Sequence, residues 1–195
     1  MSLSERDARA FLEPLKGKTV TLLIDDRKTN LALLRCISSL TSTAACGCVV
    51  FDVDAFYSSN SDKIHPSAAN STYVYVPEPG SSIEMEFPML FKTESEVFMI
   101  ESLNTLYNLF ASSSVSSKSR KLAFALASLS FLAKTNDKTG LLIMYRREKL
   151  MKTGGGSISD LSDMTVSVKT VGSEMRMECE RGMAWPEGRF SLTLP

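Results

Sequence analysis

The feature that most limits how this chain can fold is a repeated change of hydrophobic period. Apolar-rich runs at residues 19–24, 47–53, 73–76, 96–100 and 140–144 read as buried strands. Between them, Leu33, Leu34, Ile37 and Leu40 repeat at helical spacing over residues 29–41, and Leu103, Leu106, Tyr107 and Phe110 do so again. Leu122, Ala125, Leu126, Leu129 and Leu132 form the apolar stripe of the longest helix. A short helix opens at Ser4, where Asp7 takes the place of the usual Glu or Gln of a capping box. Strands alternating with helices specify an α/β fold, a mostly parallel central sheet flanked by helices on both faces. The last third reads differently. "MTVSVKT", "EMRMECE" and "RFSLTL" alternate apolar and polar residues, as half-exposed antiparallel C-terminal strands do, and would extend one sheet edge. The serine-rich stretch at 111–119 reads as a flexible loop, and residues 1–195 as a single domain.

Charge narrows the function classes. The 22 basic and 22 acidic residues balance, so the total does not call for nucleic acid or an anionic membrane. No apolar stretch approaches the ~20 residues that span a bilayer, and the N-terminus is charged where a signal peptide is apolar. A soluble, cytoplasmic protein without membrane contact is expected. Cys36, Cys46, Cys48 and Cys179 are too scattered for a disulfide framework and read as buried free thiols. The single histidine, His65, is given no role.

The stretch "TLLIDDRKTNLALLRCI" has the outline of a phosphate-binding loop: a buried strand, a Lys-Thr pair and a helix. Its centre is unusual. Asp25, Asp26 and Arg27 stand where glycines would let backbone amides wrap a phosphate. In open parallel sheets the ligand crevice lies at the carboxyl ends of the strands. Those ends carry Asp25 and Asp26, Asp52 and Asp54, Glu101, and Tyr145 to Arg147.

With "FDVDAFYSSNSDKI", "TYVYVPEPGSS", "MIESLNTLYNLF", "GLLIMYRR" and "PEGRFSLTL" in this order, the chain resembles the RecA/RadA superfamily core, especially archaeal RadB-like and KaiC-like proteins, over about residues 12–194. The resemblance implies a RecA-like P-loop NTPase fold. It aligns Lys28 and Thr29 with the last two positions of the Walker A loop, which is shortened here by about three residues. It further aligns Glu101 with the Walker B aspartate, Asp54 with the glutamate that polarises the attacking water, and Arg146 with the glutamine that senses the γ-phosphate. Each position is altered, and a misplacement of ~1 Å can cost a hundredfold in rate.

Charge opposes nucleotide binding as well. A triphosphate would face Asp25, Asp26, Asp54 and Glu101 against Arg27 and Lys28. One like-charge pair ~4 Å apart costs about 4 kcal/mol at an effective dielectric near 20. Two such pairs would offset a micromolar affinity of about 8 kcal/mol. Asp25 or Asp26 is expected to cap the following helix, meeting the amides that a phosphate otherwise meets. The reading is thus a degenerate, inactivated member, a pseudo-ATPase with no cofactor and no metal, serving as a regulatory or interaction module in DNA repair, recombination or signalling. Its expected partner is a protein, an active RecA-family ATPase or a second copy in a homodimer. The alternatives are a divergent working ATPase and a DNA-binding accessory protein, the latter using Arg146, Arg147, Lys149 and Lys152 as a basic loop. A divalent-metal site at the strand-end acids is a lesser reading. Trp185 with Met183, and Phe56 with Tyr57, are interface candidates.

Overall fold

The computed structural model describes residues 4–64, 72–78, 86, 94–110, 114–146, 162–182 and 185–193. The chain begins with α1 (Glu5–Leu12), whose Ser4 cap is reciprocal: the Ser4 hydroxyl accepts the Asp7 N–H, and the Asp7 carboxylate accepts the Ser4 N–H. There follow β1 (Thr19–Ile24), α2 (Arg27–Thr43), β2 (Cys48–Phe51), the single turns α3 (Phe56–Ser59) and α4 (Ser61–Ile64), and β3 (Thr72–Tyr75). Then come β4 (Val97–Ile100), α5 (Leu103–Leu109), α6 (Val115–Thr135) and β5 (Thr139–Tyr145). The chain closes with β6 (Met164–Val171), β7 (Glu174–Arg181) and β8 (Arg189–Thr193).

These strands form one eight-stranded sheet in the order β3-β2-β4-β5-β1-β6-β7-β8. All pairings from β3 to β6 are parallel, and β6–β7 and β7–β8 are antiparallel. Because strand side chains alternate faces, each buried strand feeds two cores. Leu22, Val50, Met99 and Ile143 lie under α1 and α2, and Leu23, Phe51, Phe98 and Leu142 lie under α5 and α6. Gly140 in β5 permits the second packing, since a Cβ there would fall 2.4 Å from the Phe98 ring.

Three expectations need correction. The "MTVSVKT" segment is not a half-exposed antiparallel strand on its inner side: β6 runs parallel to β1 and is buried from Met164 to Val168. Its alternation arises because Met164, Val166 and Val168 enter the α1/α2 core while small Thr165 and Ser167 fill the other face. The predicted serine-rich loop is helical from Val115, since Ser114 caps α6 by accepting the Ser117 N–H, and residues 111–113 lie outside the described residues. Trp185 is core, not an interface. It is 2% exposed, stacks on Phe11 at 5.6 Å, and its indole N–H donates to the Phe11 carbonyl. Tyr57 is buried too, whereas Met183 lies outside the described residues. The cysteines are free, with Cys36, Cys46 and Cys48 buried and Cys179 partly so. No helix among the described residues is long and apolar enough to cross a membrane.

Candidate functional site

Only Asp25 and Asp26 separate β1 from α2. Asp26 stays extended (φ −147°, ψ 167°), and its Oδ1 accepts the Thr29 N–H at 2.8 Å. The Asn30 N–H then bonds the Asp26 carbonyl at 3.1 Å, so the helix starts at Arg27, two residues before the expected Thr29. The Thr29 amide, followed by that of Lys28, holds the Asp26 carboxyl below the usual carboxylate range. The predicted cap is present, made by Asp26.

Lys28 and Thr29 both sit in the first turn, but differently. Lys28 is exposed. Thr29 is buried, and its hydroxyl lies 3.3 Å from both Asp26 Oδ2 and the Thr170 hydroxyl of β6. Asp25 faces the Arg146 guanidinium at 3.7 Å. Arg146 also pairs with Glu180 of β7 at 2.5 Å and donates to the Ser167 hydroxyl. The side chain aligned with a phosphate sensor is thus held by carboxylates of its own chain. Arg147, Lys149 and Lys152 lie outside the described residues.

At the neighbouring strand ends, Asp52, Asp54 and Glu101 come together, each offering an oxygen within 4.8 Å of the others. Glu101 follows β4 and is fully buried. Its Oε1 accepts the Asn30 amide at 2.8 Å, and no donor reaches Oε2. Burial, reinforced by the adjacent Asp54 carboxylate, pushes the Glu101 carboxyl up to about 9, so it carries a proton at neutral pH. Asp54 is exposed and accepts the Phe56 N–H and the Thr105 hydroxyl. Asp52 is buried and accepts the N–H groups of Tyr57 and Ser58 together with the Ser58 hydroxyl. It is the anchor that folds α3 back against β2.

Two functional-edge residues escape a reading by charge and motif. Asn30 is fully buried and its amide bridges Glu101 and the Tyr145 hydroxyl, joining α2, β4 and β5. Its signal is positional: it precedes Leu33, Leu34 and Ile37 on the apolar stripe of α2, where a buried amide needs partners. Asn104 in α5 clamps β5 by accepting the Tyr145 N–H at 2.7 Å and donating to its carbonyl at 3.2 Å.

The strand order, with a strand-turn-helix at β1–α2 and acidic residues at the ends of β2 and β4, defines a RecA-like P-loop NTPase fold. Among solved structures the chain is similar to the ATPase domain of a RecA-like replicative helicase, with a TM-score of 0.62 over 91% of this chain and 82% of that one, at 9% identity. No protein-family model and no curated protein matches the sequence.

Proposed function

We propose that this chain is a non-hydrolysing member of the RecA-like fold, in which an internal carboxylate has replaced the nucleotide phosphates, and that it works as a regulatory or interaction module toward a protein partner. The observation that carries this reading is the Asp26 carboxylate seated on the Thr29 amide at 2.8 Å. A helix N-terminus attracts anions through its free amides and dipole, and here that attraction is met from within the chain. A phosphate approaching the same amides must displace Asp26 and then lie beside two aspartates, with no glycine in the two-residue turn to re-form a cradle. The residues present do not fit a triphosphate.

Other observations lean the same way. The Thr29 hydroxyl is engaged by Asp26 and Thr170, and the Arg146 charge by Asp25 and Glu180. That second arrangement also favours a protein partner over DNA, since the one described cation of the proposed DNA-contacting loop is already paired. The partner's chemistry would be that of a folded protein, an active RecA-family ATPase or another copy of this chain.

Thermal melting tests the reading. A ligand at ~100 times its dissociation constant adds about 2.7 kcal/mol of stability. Millimolar Mg-ATP is expected to leave the midpoint unchanged, and a saturable rise of several degrees would favour the divergent working ATPase instead.

A further inference from the structure

Asp52 and Asp54 follow β2, Glu101 follows β4, and these two strands are hydrogen-bonded neighbours with Phe51 opposite Ile100. The sheet itself therefore delivers three carboxylates to one point, with oxygens no more than 4.8 Å apart. That spread matches the diameter of a Ca²⁺ coordination sphere, whose metal–oxygen bonds of about 2.3–2.6 Å set ligands at most about 4.6–5.2 Å from one another. Acid clusters are common without ions, so convergence is not enough. A second observation points to a ligand: the Glu101 side chain is fully buried, Oε1 is taken by Asn30, and Oε2 has no donor at all. A buried acceptor without a partner costs about 1–3 kcal/mol, and a cation would remove that cost.

We infer that Asp52, Asp54 and Glu101 form a binding site for a hard divalent cation of Ca²⁺ or Mn²⁺ size, held without any nucleotide. Oxygen-only ligands with no histidine or cysteine select hard ions over zinc or copper. Each ligand is aimed from behind. Tyr57 and Ser58 hold Asp52, Phe56 and Thr105 hold Asp54, and Asn30 holds Glu101. Exposed Asp54 supplies the entry side, where waters complete the coordination. On binding, the Glu101 proton leaves to solvent and the cation takes its place. The site uses neither Lys28 nor Thr29, so it stands apart from the question of nucleotide.

The test is melting of chelator-stripped protein, without nucleotide, against Ca²⁺, Mn²⁺ and Mg²⁺ in turn, in mildly alkaline buffer. Ca²⁺ or Mn²⁺ at millimolar concentration or below should raise the midpoint, and Mn²⁺ should give the spin-resonance signature of one bound ion. Asp54→Asn, at an exposed position, should weaken the response about tenfold or more, as should Glu101→Gln. No rise with any ion, or a rise equal in both variants, would overturn the site; the second result would mark ions scattered on the surface. A response appearing only when ATP is added would overturn both this site and the nucleotide-free reading. Silence toward ions and ATP alike would remove the cation site alone.

Discussion

A carboxyl group that stays protonated far above its ordinary range leaves a signature in the pH dependence of folding, and Glu101 is such a group. Its value is 4.5 when exposed and about 9 in the fold, raised first by burial and then by Asp54. Between those limits the native state keeps a proton that the unfolded chain has lost. Stability should therefore fall as pH rises from about 4.5 to about 9, by up to about 1.4 kcal/mol per unit, and then level off. Glu101→Gln keeps the neutral shape and should remove that decline. Urea unfolding of both proteins across this range, in chelator, reads the difference, and identical slopes would deny Glu101 its shift. Glu101 and Asp54 are legible from strand ends, because an acid just past an apolar run falls at the sheet's carboxyl edge. Their environments are not legible. Whether Glu101 is buried against Asn30 or solvated depends on what α2 lays over it, and a linear string does not record that.

At the scale of elements, the β1–α2 junction carries the account. Asp26 is an N-cap, and replacing a capping aspartate with alanine costs about 1 kcal/mol. Asp26→Ala should lower stability by that amount in denaturant titration, whereas Asp25→Ala, whose partner Arg146 keeps Glu180, should cost less. Equal losses would mean that Asp26 does not cap. Strand and helix identities are legible because buried apolar runs and helical stripes differ in period, and β1 is matched end to end over Thr19–Ile24. The misses have physical reasons. Ser114 begins a helix inside a serine-rich run because a serine that ends a loop in composition caps a helix in geometry. β6 reads as half-exposed because small Thr165 and Ser167, buried on one face, give the same alternation as solvent-facing residues. Trp185 reads as surface because its pocket is built by Phe11 and Phe190, residues distant in sequence from one another.

For the whole molecule, the parallel strands aim the β1, β2, β4 and β5 ends at one edge, and that edge gathers Asp25, Asp26, Asp52, Asp54, Glu101 and Arg146. Segment order along the chain is enough to anticipate this arrangement, since each crossover between parallel strands returns the next strand to the same direction. Oligomerisation and partner choice depend on surfaces, and the string holds no comparable regularity for them. The central claim is that the chain occupies its own phosphate site. Calorimetric titration of Mg-ATP into the protein and into an Asp25→Gly, Asp26→Gly variant tests it most directly. No saturable heat is expected from either, because two residues between β1 and α2 are too few to wrap a phosphate even when both are glycine. Micromolar binding by the unaltered protein would contradict the account outright, and binding recovered only by the variant would contradict its geometric half.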